Sequence, residues 1–253
     1  MLSGYMGYTS ANLDFAPAAI KKAYVIASSF RSGSTHLCIS LWQTGVLGAP
    51  WEYFNYEIDK RFMYARLGCT SSADYYRKLA ACRTSKNGVF GVKAHFRHFD
   101  VARKEYPPLI EVISPVTFIY INRRDKVAQA VSMARALQTN AWIAFRNKEE
   151  RGPRPPLFYS KEFIQECLTE VESQTASWKA FFDRNGIKPM WVDYEDLLAD
   201  KSRVVQSIVK HFGVENDEPE EVTVPKPFVQ ADEVNAEWIK RFREECEPAN
   251  PAA

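Results

Sequence analysis

Between Ser28 and Thr35 the chain sets a guanidinium, a glycine and a run of hydroxyls into one short stretch, Ser28-Ser29-Phe30-Arg31-Ser32-Gly33-Ser34-Thr35. A brief apolar run, Ala23 to Ala27, leads into it. A helical pattern carrying Leu37, Ile39, Leu41 and Trp42 leads out, up to Gly45. A loop flanked in this way turns backbone N–H groups, the positive end of a helix dipole, a cation and Ser/Thr donors toward one point. That is an anion site, and the anion it suits is a phosphate or a sulfate. It is not a Walker-type loop, which needs an opening glycine followed by Gly-Lys-Ser/Thr; here Arg31 stands before Gly33 instead. The same residues also read as a plain strand–turn–helix with capping serines, so the remaining segments must separate the two.

A loop of this kind works at the carboxyl edge of a parallel sheet, and the chain holds the strands for one. Val116 to Ile121 is the clearest, running into Asn122-Arg123-Arg124-Asp125. Gly88 to Lys93 is a second and ends on a cation, and Pro189 to Val192 is another. Helical patterns alternate with them. One covers Arg61 to Arg83, with Tyr75, Tyr76 and Leu79 on one side. Another follows Asp125 as cap and has Val127, Val131, Ala134 and Leu137 as its apolar face. Further ones run over Lys161–Asn185, from Tyr194, over Ser202–Phe212 and over Asn235–Glu245, while His98 to Ser114 is mixed and interrupted by Pro107-Pro108. Strands alternating with helices predict an α/β fold with a central, mainly parallel sheet flanked by helices, and ligands outside the carboxyl ends of the strands. One domain spans 1–253, with residues 1–22 as a lead-in. The charged, proline-rich stretch 145–160 is expected to be a mobile loop over the site.

At 253 residues, 46% apolar and 25% charged with a net charge of +2, the chain can bury a full core and carries neither the basic excess of a nucleic-acid binder nor the composition of a disordered tail. Any anion site must rest on local charge. Cys38, Cys69, Cys82, Cys167 and Cys246 are scattered and odd in number, without metal-ligand spacing, so free thiols are expected and no metal. No apolar run approaches the ~20 residues of a spanning helix, and no signal-peptide pattern opens the chain. A cytoplasmic protein with no membrane partner is the expectation.

Three segments, in order, resemble one family. The loop Phe30, Arg31, Ser32, Gly33, Ser34, Thr35 resembles the 5′-phosphosulfate loop of sulfotransferases, which use 3′-phosphoadenosine 5′-phosphosulfate (PAPS). Arg123-Arg124-Asp125 with Ser132 resembles their 3′-phosphate segment, and Tyr194-Glu195-Asp196-Leu197 a segment common among them. Glycine and proline punctuation around Pro50-Trp51-Glu52-Tyr53-Phe54, Gln129-Ala130-Val131-Ser132 with Arg135 to Thr139, and Gln230-Ala231-Asp232 before Glu237-Trp238 are similar to the bacterial trehalose 2-sulfotransferase-like family. The matches span about Ala23 to Arg243.

The resemblance implies a P-loop NTPase-like three-layer fold and in-line sulfuryl transfer from PAPS, without a metal, to a hydroxyl of a carbohydrate or other small metabolite. It implies Arg31 as the cation on the leaving phosphate, and Arg123 or Arg124 with Ser132 on the 3′-phosphate. Either Glu52 or His95 is the base: Glu52 stands where the bacterial family has its glutamate, and Lys93-x-His95 is similar to the pair in cytosolic sulfotransferases, where the lysine helps hold the sulfuryl group. The aromatic loop around Glu52 predicts a carboxyl pKa raised by desolvation. Acceptor contacts are expected from Ala49, Trp51, Glu52, Tyr53, Phe54 and Asn55, and closure over the nucleotide from Gln230, Asn235 and Trp238. Ala49 replaces a glutamate of the trehalose-type pattern, removing a carboxylate able to pair a sugar hydroxyl. A homodimer is the assembly this resemblance implies. The rival readings are a small-molecule kinase of P-loop type and a non-catalytic nucleotide-binding protein on the same fold.

Overall fold

The computed structural model describes residues 10–55, 59–105, 116–142, 155–214 and 232–246. Within them, β1 (Lys22–Ser28), β2 (Val89–His95), β3 (Val116–Asn122) and β4 (Met190–Asp193) form one sheet in the order β2-β1-β3-β4, every pairing parallel. Ala23 to Ser28 are all buried, as befits a central strand covered on both faces. Helices α1 (Ser34–Trp42), α2 (Asp59–Arg66) and α3 (Ser72–Arg83) separate β1 from β2. Next come α4 (Phe96–Glu105), then β3, α5 (Lys126–Thr139) and α6 (Lys161–Arg184). After β4 stand a short α7 (Tyr194–Ala199), α8 (Lys201–Phe212) and α9 (Glu233–Cys246).

Register decides where the site falls. Ser28 pairs with His95 on one side and with Ile121 on the other, and Asn122 pairs with Asp193. The carboxyl ends of all four strands therefore lie level, and each strand delivers its following turn to the same rim. Trp178 from α6, with no exposed surface, packs under that rim against Phe96, Phe99, Phe118 and Phe182 and donates its indole N–H to the Ser28 carbonyl at 3.0 Å. The last residue of β1 is thus held from below by a ring that would cost about 3–5 kcal/mol to delete. A second apolar cluster joins Ala130, Val131, Met133 and Ala134 of α5 to Ile164 and Val171 of α6 and to Trp238 and Phe242 of α9.

Several sequence expectations need correction. The helix expected over Arg61–Arg83 is two, broken after Arg66, where Gly68 takes a left-handed φ of 57°. Strand β2 does not stop at Lys93 but continues to His95, because pairing with β1 continues to Ser28. The buried face of α5 excludes Leu137, which is 44% exposed. Within the lead-in, Leu13 is buried, and Asp14 is ion-paired to Arg66 and, at 3.3 Å, to Arg83. Of the stretch 145–160, residues up to 154 lie outside the described ones; the Phe158 backbone is docked on the Gln138 side chain through two hydrogen bonds. All five cysteines are free, Cys38 and Cys167 buried. No described helix is long and apolar enough to cross a membrane.

Candidate active site

The loop from β1 to α1 opens at the rim with two left-handed residues, Arg31 at φ 59° and Gly33 at φ 85°. Glycine is required at the second. A Cβ built on Gly33 would stand 2.1 Å from Cδ2 of Tyr194, whose ring lies against the loop. Arg31 is not glycine and bears about 1–2 kcal/mol of backbone strain in this conformation, so neighbouring contacts must hold it. Its Nε donates to Ser132 Oγ at 3.0 Å, its Nη1 donates to the Trp142 carbonyl, and its own carbonyl accepts from Arg123 Nη1 at 3.4 Å. Burial and the adjacent Arg123 charge pull the Arg31 guanidinium down to about 10, against Tyr194, and leave it a cation at neutral pH.

Gly33 also caps α1 without any side-chain bond, so the first N–H groups of that helix face the loop's hollow. Ser32 Oγ is buried there with no hydrogen-bond partner among the described residues. A buried hydroxyl without a partner is costly and marks a place for an acceptor.

The second constellation comes from the edge of the sheet. Trp51 forms a parallel bridge with Val92, and its carbonyl accepts the Lys93 N–H at 2.8 Å, which brings Glu52 alongside the end of β2. Glu52 is ion-paired to Lys93 and stands 3.6 Å (Oε1) from His95 Nε2. Lys93 Nζ also donates to Thr35 Oγ1 at 3.1 Å, tying this edge to the anion loop. Burial pushes the Glu52 carboxyl up, but Lys93 and His95 together outweigh it and hold it well below the usual carboxylate range. The expected upward shift is therefore reversed: the loop does desolvate Glu52, but an ammonium with 1% exposure sits on it.

His95 has its tautomer set by its neighbours. Nδ1 lies 3.3 Å from the Ser28 carbonyl, which only accepts, and 3.1 Å from Ser28 Oγ, whose own proton can go to the Ala94 carbonyl at 3.3 Å. Nδ1 therefore carries a hydrogen toward that carbonyl, and Nε2 is the ring nitrogen that faces Glu52. The Phe30 ring covers the imidazole at 4.3 Å between centroids, and Trp142 lies 6.1 Å beyond Phe30. His98, 5.8 Å from His95, is pushed down to about 4 by burial and by the His95 charge.

The two arginines after β3 separate clearly. Arg123 turns over the Tyr194 ring at 5.1 Å and reaches the anion loop. Arg124 turns away, 55% exposed, onto Asp196 at 2.9 Å, with Glu195 and Asp193 at 3.5 and 3.8 Å. Arg124 is thus bound into an acidic cluster, whereas Arg123 faces the anion loop.

Of the residues expected to touch an acceptor, Ala49, Trp51, Tyr53 and Phe54 are buried in the core at 0, 3, 0 and 1% exposure. Tyr53 spends its hydroxyl on the Ala49 carbonyl at 2.6 Å. Glu52 and Asn55 alone retain a polar edge, with Asn55 Nδ2 donating to Glu52 Oε2 at 3.4 Å. Gln230 lies outside the described residues, while Asn235 and Trp238 are buried against α5. Sequence reasoning gave Tyr194 no role beyond its place in an expected segment; its packing against Gly33 of the anion loop is a tertiary contact.

A family model described as "Stf0 sulphotransferase" matches residues 23–245, from the second residue of β1 to the last turn of α9. The chain belongs to the Stf0 sulphotransferase family. It is 29% identical to trehalose 2-sulfotransferase of Mycolicibacterium smegmatis and 25% identical to that of Mycobacterium tuberculosis, in each case over 89% of this chain and 96% of the relative. Among solved structures, the sulfotransferase domain of the Synechococcus PCC 7002 olefin synthase aligns over 94% of this chain and 90% of its own at 16% identity and a TM-score of 0.46. For this Stf0 sulphotransferase, membership supports sulfuryl transfer over the rival kinase reading. The Arg31 loop, Arg123 with Ser132, and Glu52 with Lys93 and His95 all lie inside the matched span.

Proposed function

We propose that this Stf0 sulphotransferase takes its sulfuryl group from PAPS and passes it to a hydroxyl of a carbohydrate. The observation that carries the proposal is the single hydrogen bond between Arg31 Nε and Ser132 Oγ, 3.0 Å, because it joins the phosphosulfate-type loop to the 3′-phosphate-type helix. Two anion grips this close can be spanned by one nucleotide. The orphaned Ser32 hydroxyl and the first N–H groups of α1 supply donors for the 5′ end, and Arg123 with Ser132 supply them for the ribose phosphate.

In the transfer, the acceptor oxygen forms a bond to sulfur while the bond from sulfur to the 5′-phosphate oxygen breaks, and that oxygen keeps the electron pair. Arg31 and Lys93 meet the charge that grows on it. The acceptor's proton goes to Glu52. With Lys93 drawn to the leaving oxygen, the desolvation that opposes ionisation of Glu52 is less fully offset, and the carboxylate becomes a better base at the moment it is needed. His95 Nε2, 3.6 Å from Glu52 Oε1, is positioned to share that proton. The family relatives named for trehalose support the carbohydrate class. Ala49, buried and without a carboxylate, is why the proposal stops at the class.

Mass spectrometry of trehalose and a panel of other sugars incubated with protein and PAPS tests this. The expected result is an added sulfate on at least one sugar, lost with Arg31→Ala and reduced about 100-fold or more with Glu52→Gln. Turnover by Glu52→Gln at the wild-type rate would transfer the base role to His95.

A further inference from the structure

The Gln129 amide is fully buried in α5 and points back into the loop after β1. Its Nε2 donates to Ser29 Oγ at 2.9 Å and to the Phe30 carbonyl at 2.5 Å, and its Oε1 accepts from Lys126 Nζ at 3.3 Å. The orientation of the amide is forced. A carbonyl can only accept and an ammonium can only donate, so turning the amide over would set oxygen against oxygen and NH2 against NH3+. Lys126 Nζ is fixed in turn by Asn122 Oδ1 at 2.9 Å, and Asn122 Nδ2 donates to Asp193 Oδ1 at 2.7 Å. A chain of polar contacts thus runs from the anion loop, through α5, to the ends of β3 and β4.

Gln129 and Ser132 are one turn apart on the same helix, and between them they bracket Arg31. Gln129 holds the two residues before it; Ser132 holds its guanidinium. Arg31 is also the strained left-handed residue of the loop. Without a fixed Phe30 carbonyl, the peptide entering Arg31 is free to rotate toward an ordinary conformation, which would swing the guanidinium away from Ser132 and from the donor.

Resting on the proposal that PAPS is the donor, we propose that Gln129 is a positioning residue for sulfuryl transfer, holding the Ser29–Phe30 peptide so that Arg31 stays left-handed and aimed at the donor's 5′ end. It touches neither substrate. Its effect is exerted through Arg31, and that makes it separable from a purely structural role by a double-variant cycle.

The test uses the full chain and measures affinity for 3′,5′-adenosine bisphosphate by calorimetry, with donor kcat and KM alongside. Gln129→Met keeps the side chain's length and removes both donors. The expected result is roughly tenfold weaker binding and roughly tenfold lower kcat in Gln129→Met, with less than a twofold further loss when it is placed on Arg31→Lys, a variant already lacking the Nε donor. Losses that multiply in the double variant, or a Gln129→Met indistinguishable from the wild type, overturn the inference. If Gln129→Met does not fold by circular dichroism, Ser29→Ala, which removes one acceptor only, takes its place and should give a loss of a few fold, again absorbed by Arg31→Lys. A wild-type protein that binds no bisphosphate sinks the donor proposal itself, and this inference with it; a wild type that binds normally confines any failure to Gln129.

Discussion

An ammonium at 1% exposure beside a carboxylate at 14% is a pair that water barely reaches, so what happens to one member is decided by the other. Lys93 and His95 together hold Glu52 ionised against a desolvation that would otherwise protonate it. Because the folded carboxyl sits below its unfolded value, the stabilisation is present in full above about 4.3, the ordinary glutamate value, and drains away as pH falls through the lower folded value. Glu52→Gln should therefore be less stable than the wild type by about 3 kcal/mol at pH 7, the low end for breaking a buried pair since Glu52 keeps some exposure. The gap should close on acidification below pH 4. Urea unfolding of both proteins across pH 3 to 7 reads this; a gap that does not depend on pH would mean the pair does not couple to folding. The residue types were legible in the sequence: Glu52, Lys93 and His95 stood out. The sign of the Glu52 shift was not, since it depends on Trp51 pairing with Val92, a contact between segments some forty residues apart.

At the scale of elements, helix α5 carries both the Ser132 hydroxyl and the Gln129 amide, so its first turns must not fray. Asp125 secures them: its side chain accepts the Ala128 N–H at 2.9 Å and meets Arg243 of α9 at 2.8 Å. Burial raises the Asp125 carboxyl, but the cap bond and Arg243 prevail and keep it low. Asp125→Ala should cost about 1 kcal/mol, the usual loss of a cap, whereas Arg243→Ala, an exposed pair, should cost at most about half of that. Urea denaturation gives both numbers, and a larger loss for Arg243 would reverse the assignment. Asp125 as a cap could be read from its place before an apolar helical pattern. The boundaries of other elements were less readable. The tract 61–83 shows helical periodicity on both sides of Gly68, and periodicity alone does not register a left-handed break. Lys93 looked like a strand end because a cation there resembles a loop residue, while its neighbours in β1 carry the ladder on to His95.

For the molecule as a whole, the order β2-β1-β3-β4 brings three separately encoded segments to one rim: Glu52 and Lys93 at the β2 edge, Arg31 beyond β1, and Arg123 with Ser132 beyond β3. Sequence order does not contain that neighbourhood; the parallel register creates it. A ligand spanning the rim would link β1 to β3 and should stabilise the folded chain through mass action, by about 2.7 kcal/mol at a hundred times its dissociation constant. For a chain of this size that corresponds to a rise in Tm of roughly 5–10 °C at 2–4 °C per kcal/mol. 3′,5′-Adenosine bisphosphate should produce such a rise. Adenosine 5′-phosphate at the same concentration engages the Arg31 loop but leaves Arg123 and Ser132 without a phosphate, and should give less than half of it. Differential scanning fluorimetry with the two ligands makes the comparison directly. Equal shifts would mean that the second grip contributes nothing, and that the contact between Arg31 and Ser132 stabilises the fold without reporting a bridge for the nucleotide.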